Sequence, residues 1–382
     1  MHRLAPSDSA PLPPLRFSGQ SRLMLIAPHP DDESLACAIA LQAAARAGAA
    51  IRVVYATDGD NNPWPQRFIE RKWRISQADR LRWGKLRQQE AQAALVTLGL
   101  RAEDACFLGW PDQGLTDLLM RDQASMLSTF RGLIDDFGPT DIVFPSTADA
   151  HPDHNALAVL LLLILRQLPA ETAPESAWQF AVHGNNPAFF ANAHPMGATP
   201  SEKATKVKAI ACHQTQLKLS RRRFLRYAEK PEQFLSLESA TLPAPQAAPQ
   251  IIARAARQLT VYLPPRKNVF TRELRLLAIG HSDRGEPNSA IIRFSKKSTV
   301  AEMVDGRTRM RGPALILEGN HLIGLTITIP IGGIFSPDHP IFVKLSRRSL
   351  AFADAGWSEA PTCAALIAPT QPSDREPALQ NA

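Results

Sequence analysis

The chain has little of what marks a secreted, disulfide-stabilised or membrane-spanning protein. It has only four cysteines among 382 residues, and no two of them have C-x-x-C spacing. This scatter indicates reduced thiols rather than a disulfide framework. The most apolar run, residues 156–165, is much shorter than the roughly 20 residues that a membrane span requires. Residues 1–22 are rich in proline and serine without an apolar core, so we expect a flexible arm and no secretory signal.

Positive charge is unevenly distributed along the chain. The formal net charge is +7 and the pI about 9.4, and residues 250–350 contain 16 Lys and Arg against seven Asp and Glu. The remainder is therefore close to neutral. A basic C-terminal part favours a polyanionic or membrane-surface partner. A solvated basic surface that keeps the protein soluble explains the same numbers.

Two short polar motifs each follow a short apolar run. Residues 28–33, Pro-His-Pro-Asp-Asp-Glu, follow the run 23–27, and residues 150–154, Ala-His-Pro-Asp-His, follow the run 141–145. Both runs have the length and composition of buried strands that stop at a turn. In open α/β sheets, ligands bind just beyond the carboxyl ends of the strands. We therefore expect the two motifs to meet at one edge of a sheet.

The residue types in the two motifs suit a metal ion. Imidazole and carboxylate are common zinc ligands, and a catalytic zinc has three protein ligands with one position for water. His29 and Asp32 are close enough in sequence to share one ion, with Asp31 beside it as a base and His154 as the third ligand. Either motif alone is better explained as a helix N-cap. The pair favours a metal site.

At these residues the sequence resembles the LmbE-like de-N-acetylases. This family includes N-acetylglucosaminyl-phosphatidylinositol deacetylase and the deacetylases of mycothiol and bacillithiol synthesis. Its signature is a His-Pro-Asp-Asp-Glu turn and a later His-Pro-Asp-His turn, and both are intact here. The resemblance extends over residues 22–235. Weaker matches within it are residues 57–59, 87–90, 98–99, 112–115, 208–210 and 213–216.

The resemblance implies zinc-dependent removal of an N-acetyl group from an amino sugar. His29, Asp32 and His154 would bind one Zn²⁺ per chain, with Fe²⁺ as the alternative ion. Asp31 would take a proton from the attacking water. His151 would stabilise the oxyanion or protonate the leaving amine, and Asp153 would hold His151 in orientation.

Three further residues are candidates for contact with the substrate. They are Asp58, Arg87 and Asp112. Asp58 follows a predicted strand, where it orients a metal ligand, contacts substrate or simply forms a turn. Arg87 lies within reach of Glu90 across one helical turn.

The segment 60–85 combines three tryptophans with several arginines and lysines. It leaves the same predicted edge of the sheet, so it is a candidate lid whose Trp and Arg side chains stack on sugars or pair with phosphate. The alternative is a solvated helix face. His213, on a predicted long helix over 201–226, either reaches the site or packs as an ordinary helix residue.

The predicted fold class is a three-layer, Rossmann-like α/β domain with a mainly parallel sheet, followed by a smaller β-sandwich-like domain. The predicted boundaries are a flexible arm over 1–22, the deacetylase domain over 23–240, a β-rich accessory domain over 250–368 and a disordered tail over 369–382. Residues 242–249 have a linker composition.

The predicted function is that of a metal-dependent hydrolase acting on an N-acetylated amino sugar, whether lipid-linked, nucleotide-linked or part of a polysaccharide. One alternative is a zinc amidohydrolase for a non-sugar N-acyl compound, and another is a non-haem iron oxygenase. A nucleic-acid- or carbohydrate-binding protein without catalysis leaves the paired motifs unexplained, so we expect no nucleic acid partner. We expect a cytoplasmic protein, with peripheral contact to the inner face of the membrane as an open alternative. The oligomeric state is not predicted.

Overall fold

The computed structural model describes residues 15–184, 186–237, 248–265, 273–295, 300–320, 324–346 and 356–363. Most of the predicted arm, most of the predicted linker and the whole predicted tail lie outside these residues. The chain divides into two compact units. One comprises Met1–Ala248 and Lys344–Ser358, and the other Pro249–Val343 and Glu359–Ala382.

The first unit alternates strands and helices. Two short 3-10 helices, Ala102–Asp104 and Arg226–Ala228, accompany the main elements. In chain order the main elements are β1 (Arg22–Ala27), α1 (Asp32–Ala36), α2 (Ala38–Arg46), β2 (Ala50–Thr57), α3 (Pro63–Glu70), α4 (Gln77–Thr97), β3 (Ala105–Trp110), α5 (Leu115–Phe137), β4 (Asp141–Pro145), α6 (Pro152–Leu165), β5 (Ser176–Phe180), α7 (Pro187–Asn192), β6 (His194–Met196), α8 (Pro200–Cys212), α9 (Gln214–Leu225) and β7 (Glu232–Ser236).

Seven strands form one sheet in the order β3-β2-β1-β4-β5-β7-β6. The five strands from β3 to β5 are parallel, and β7 pairs antiparallel with both β5 and β6. The predicted α/β fold with a mainly parallel sheet is therefore confirmed. The strand order reverses at β1, so a crevice opens between the ends of β1 and β4, where such sheets bind ligands.

Apolar residues on both faces of β1 are buried. Leu23, Leu25 and Ala27 belong to a core cluster that includes residues of α2 and α4, whereas Met24 and Ile26 are equally buried outside that cluster. Because successive strand residues point to opposite faces, helices must cover both sides of the sheet. The predicted arm extends to residue 22, but Leu15 is buried in this same cluster and Phe17 packs against it.

Two predicted continuous helices are broken in the structure. The Ala- and Leu-rich pattern of residues 34–47 predicts one helix, but the helix is interrupted at Cys37. The helix predicted over 201–226 is interrupted at His213. Both residues have non-helical backbone angles. Side chains of the first motif explain the second break, because His213 turns inward to bind the buried carboxylate of Glu33 at 2.8 Å. By contrast, the sequence predicts a helix over 115–137 and a strand over 141–145, and α5 and β4 have these bounds.

The buried helix predicted after the second motif is α6, and residues 153–164 of it are all buried. It has 14 residues. Among the described residues, no helix combines the length and the apolar character that crossing a membrane requires.

The second unit is β-rich, as predicted. The strands from this part of the chain are β8 (Gln250–Ala255), β9 (Gln258–Leu263), β10 (Glu273–His281), β11 (Pro287–Ser295), β12 (Val300–Asp305), β13 (Arg311–Asn320), β14 (Gly324–Pro330), β15 (Ile341–Ser346) and β16 (Ser358–Ala360). Residues 344–346 of β15 and residue 358 of β16 are grouped with the first unit. These strands join into one nine-stranded sheet in the order β16-β15-β10-β11-β12-β13-β14-β9-β8. The β-rich character predicted for this part of the chain is therefore confirmed, and its sandwich architecture stays a prediction.

Candidate metal centre

The first motif forms the sharp turn between β1 and α1. Asp31 is the residue before the helix, and its φ of 142° lies in a region that non-glycine residues rarely adopt. Such backbone strain is concentrated at functional sites, where the surrounding structure enforces it. The turn buries His29, Asp31 and Asp32, which are 8%, 7% and 1% exposed.

The second motif forms the turn between β4 and α6. His151 caps the helix, because its Nδ1 accepts a hydrogen bond from the backbone N–H of Asp153 at 3.2 Å. Pro152 occupies the first helical position, where its missing N–H costs nothing. This places His154 on the first turn of α6, fully buried and facing the β1 turn.

His29, Asp32 and His154 meet as predicted. Asp32 Oδ2 lies 3.3 Å from His29 Nδ1 and 3.2 Å from His154 Nε2, and the two nitrogens are 3.3 Å apart. Bonds of about 2.0–2.1 Å from these atom types to a tetrahedral ion would separate the ligand atoms by roughly 3.3–3.4 Å. The three atoms therefore form one face of a tetrahedron of the size that zinc requires.

An unsatisfied buried oxygen supports the same fit. Asp32 Oδ1 is buried without a hydrogen-bond partner among the described residues. A buried carboxylate without compensation is costly, so a cation beside it removes that cost. His29, His151 and His154 also converge, as do Asp32, His154 and His183, and each of these trios has the spacing of metal ligands.

Carboxylates lie beside the second ring nitrogen of each candidate histidine ligand, the nitrogen that is not part of the triangle. His29 Nε2 lies 3.3 Å from both Asp112 Oδ1 and Asp153 Oδ2, and His154 Nδ1 lies 3.1 Å from Asp149 Oδ2. Such partners fix the ring orientation of a metal-bound histidine and raise its basicity.

The role predicted for Asp153 requires correction. Its carboxylate accepts hydrogen bonds from the backbone N–H groups of Gln113 and Leu115, at 2.6 and 3.0 Å, in addition to its contact with His29. Only its backbone N–H reaches His151. The Asp153 side chain therefore contacts His29, a candidate metal ligand, and its main chain contacts His151.

The predicted base, Asp31, is held by Arg87. The Arg87 guanidinium donates to Asp31 Oδ2 at 2.9 Å, to the carbonyl oxygen of Gly59 at 2.7 Å and to the carbonyl oxygen of Pro30. Burial raises the pKa of Asp31 to about 6, and the nearby Arg87 charge limits that rise. The prediction was that Arg87 contacts substrate. Because Arg87 is only 4% exposed, it instead positions Asp31.

The other two substrate candidates have different environments. Asp112 is buried, with Oδ1 near His29 and Oδ2 accepting the backbone N–H of Asn61 at 2.7 Å, so it too supports the centre. Asp58 is half-buried and accepts a hydrogen bond from Gln88 Nε2 at 2.7 Å. Its contact with substrate remains a prediction.

Asp149 and His183 are two residues of the site that the sequence motifs do not include. Asp149 accepts hydrogen bonds from the backbone N–H groups of Val182 and His183 at 2.7 and 3.0 Å, which joins the second motif to the end of β5. The His183 ring lies 4.8 Å from that of His154 and 5.3 Å from that of His151. An Asp directly before the motif and a His just past a parallel strand were the available signals.

The surroundings of the three histidines shift their pKa values in different directions. Burial opposes the protonation of His154, but Asp149 and Asp32 outweigh it and raise the pKa of that imidazole to about 10. Burial lowers the pKa of His183 to about 4. Burial, with the positive charges of His29 and His154, also holds the pKa of His151 well below its usual value. The site therefore collects negative charge around His154 and keeps His151 neutral.

Comparison with known proteins supports the resemblance. Residues 24–165 match the sequence model of the PIG-L family, described as GlcNAc-PI de-N-acetylase. The resemblance read from the two motifs is thus confirmed over these residues, a shorter span than 22–235.

Two curated relatives carry the same name, 1D-myo-inositol 2-acetamido-2-deoxy-alpha-D-glucopyranoside deacetylase. The protein from Mycobacterium sp. strain KMS is 32% identical over 156 residues, which cover 37% of this chain and 49% of the relative. The protein from Mycolicibacterium vanbaalenii is 27% identical over 205 residues, which cover 48% and 66%. The chain thus spans between about half and two thirds of the length of these relatives. A solved structure, N,N'-diacetylchitobiose deacetylase from Pyrococcus horikoshii, is 18% identical with a TM-score of 0.44, covering 57% of this chain and 84% of that one.

Proposed function

We propose that this protein is a zinc-dependent hydrolase that removes the N-acetyl group from an amino-sugar substrate. The observation that supports this most directly is the triangle of His29 Nδ1, Asp32 Oδ2 and His154 Nε2 with a buried carboxylate, Asp31, beside it. When bound there, zinc supplies a Lewis acid that polarises the amide carbonyl and lowers the pKa of a water molecule.

Asp31 acts as the general base. Its carboxylate accepts a proton as the water oxygen attacks the acetyl carbonyl carbon, and Arg87 holds one carboxylate oxygen during this step. A pKa raised to about 6 suits a base that must accept a proton near neutral pH.

His151 donates a hydrogen bond to the oxyanion. Because its Nδ1 accepts the backbone N–H of Asp153, the neutral ring carries its proton on Nε2. Donors fixed in advance stabilise developing charge most effectively. When the carbon–nitrogen bond breaks, the proton held by Asp31 passes to the leaving amine, so that acetate and a free amine are formed.

We also infer the class of amino sugar, the metal and the location of the protein. We infer a sugar linked to a lipid, a nucleotide or a polysaccharide, and Zn²⁺ rather than Fe²⁺. We infer a cytoplasmic location from the expectation of reduced thiols. The β-rich unit, with its excess of Lys and Arg, would position an anionic or carbohydrate substrate, and its sandwich architecture stays a prediction.

The proposal is tested by elemental analysis combined with acetate release from a panel of N-acetylated sugars and non-sugar N-acyl compounds. His154→Ala should lose stoichiometric zinc. Asp31→Asn should keep zinc and lose roughly 10²–10⁴-fold in kcat, the usual contribution of a general base. Asp117→Asn, at an exposed position on α5, is the matched control. Full zinc occupancy in His154→Ala, or an Asp31→Asn rate within a few-fold of the control, contradicts the assignment.

A further inference from the structure

Two tryptophans near the candidate site are exposed. Trp64 on α3 and Trp73 after it are 55% and 76% exposed, whereas Trp83 in the same segment is 1% exposed. Burying a large aromatic side chain is strongly favourable, so clustered exposed rings commonly mark a binding surface. The buried Trp83 ring anchors segment 60–85 to the core of the unit. It does not explain the other two rings.

The two exposed rings belong to one fixed arrangement. The Arg67 guanidinium carbon lies 5.0 Å from the ring centroid of Trp64 and 5.1 Å from that of Trp73. Both distances are within the range of cation–π attraction. The guanidinium therefore holds the two indoles around it. We call these three side chains, Trp64, Arg67 and Trp73, the indole ledge.

Hydrogen bonds fasten the ledge to the rest of the unit. Gln66 Nε2 donates to the carbonyl oxygen of Asp79 at 2.8 Å, which ties α3 to the first turn of α4. That turn is closed by a capping box in which Ser76 and Asp79 each accept the other's backbone N–H. A ledge held in this way loses little further freedom when it binds a ligand, which favours affinity.

Hydrogen bonds connect the metal centre to Asn61, which lies three residues before the first side chain of the ledge. Asp112, whose Oδ1 lies 3.3 Å from His29 Nε2, accepts the Asn61 backbone N–H with Oδ2 at 2.7 Å. Gln113 Nε2 donates to the Asn61 carbonyl oxygen at 3.0 Å. Trp64 is three residues further on, so its Cα lies at most about 11 Å from that of Asn61. This is the scale of one or two sugar rings.

We propose that the indole ledge is a subsite for a second sugar ring, the one joined to the acetylated amino sugar. This rests on the proposed function and extends it from an amino sugar to a saccharide of at least two rings. The apolar C–H face of a pyranose covers an indole, while the hydroxyl groups at its edge accept hydrogen bonds from a neighbouring guanidinium. A purely apolar partner would leave the Arg67 charge without compensation.

The test compares acetate release from N-acetylglucosamine, N,N'-diacetylchitobiose and N,N',N''-triacetylchitotriose by the zinc-loaded, full-length protein. The measured quantity is the ratio of kcat/KM for the disaccharide to kcat/KM for the monosaccharide. We expect this ratio to exceed one in the wild type and to fall about tenfold in Trp64→Ala and in Trp73→Ala, the equivalent of roughly one aromatic contact. The change should lie mainly in KM, since the ledge does not touch the reacting atoms.

Binding without turnover gives a second readout. In an Asp31→Asn background, triacetylchitotriose should quench tryptophan fluorescence, and Trp64→Ala should weaken the binding by a similar factor. Val96→Ala, an equally exposed apolar position at the far end of α4, is the control and should keep the wild-type ratio. A wild-type ratio near one, or an unchanged ratio in both Trp variants, overturns the subsite. Absence of acetate release from every substrate instead contradicts the proposed function itself.

Discussion

At the scale of single residues, Gly59 controls how Asp31 is held. A Cβ atom built on Gly59 would lie 1.7 Å from Arg87 Nη1, and its backbone has a φ of 61°. Gly59→Ala must therefore displace the guanidinium that binds Asp31. We expect zinc content to stay near the wild-type value while kcat falls by about tenfold or more, because a misplaced base transfers protons poorly.

Gly138→Ala is a matched control for this substitution. Gly138 has a φ of 57°, and a Cβ there would meet nothing within 4 Å. Both variants pay the left-handed backbone cost of roughly 1–2 kcal/mol, so both should have lower melting temperatures. Only Gly59→Ala should lose kcat. Equal kcat values in the two variants would mean that Arg87 does not position Asp31.

A second prediction concerns Asp149, the carboxylate next to His154. Asp149→Asn should weaken zinc binding by about 10–100-fold, the usual effect of losing a partner of a metal-bound histidine. Zinc transfer to a chromogenic chelator measures this directly, with Asp117→Asn as the control. His154→Ala should lose the ion altogether. An Asp149→Asn affinity equal to that of the control would remove Asp149 from the centre.

The residues of the metal triangle were predictable because short-range spacing and strand position determine them. His29 and Asp32 belong to one turn, and His154 follows a strand that must end at the same edge of the sheet. Asp149 and His183 were missed because their partnership joins the ends of β4 and β5 through backbone N–H groups. The role of the Asp153 side chain depends on the turn at Gln113, which no local pattern reveals.

At the scale of elements, local sequence patterns predicted the bounds of a helix or strand correctly where the same burial pattern continues along the whole element. The strand β4 and the helix α5 have the predicted bounds, but the predicted helices containing Cys37 and His213 are each split in two. In the second case a buried carboxylate, Glu33, binds His213 across the fold and stabilises a non-helical backbone. The sequence predicts strands in the second part of the chain only from residue 258 onward. The edge strand β8 was missed because most of its residues are exposed and show no alternation.

A pH-dependent prediction concerns β10, which ends at His281. Burial, with the nearby His339, lowers the pKa of His281 to about 4. The unfolded chain, with an ordinary pKa near 6.5, therefore binds this proton more tightly than the folded unit. The stabilisation is fully present above about pH 6.5 and is lost as the pH falls toward 4. The full shift corresponds to at most about 3 kcal/mol.

Urea unfolding between pH 7.5 and 4 measures this contribution. Other groups in the chain titrate in the same window, so the informative quantity is the difference between the wild type and His281→Gln. We expect the variant to lose less stability on acidification. Parallel curves for the two proteins across the whole range would show that His281 is not protected from protonation in the folded state.

At the scale of the whole molecule, the first boundary between the two units lies between residues 248 and 249. The predicted domain limits, 23–240 and 250–368, stay a prediction. Composition gives no sign that a later segment groups with the first unit. Residues 344–358 group with the first unit although they follow most of the second in sequence. A protein cut near residue 242 would lack them. Experiments that distinguish the roles of the two units should therefore use the full-length chain and not a truncated one.

The last prediction uses the metal to distinguish the two units by calorimetry. An ion that binds only the folded first unit stabilises it by about 4 kcal/mol when its free concentration is a thousand times the Kd. In zinc-loaded protein at pH 7.5, removal of the ion with a chelator should lower the melting temperature of one transition and leave a second transition in place. His281→Gln, at a buried position of the second unit, should shift the transition that the chelator does not move. If chelation and His281→Gln shift a single common transition, the two units unfold cooperatively as one body.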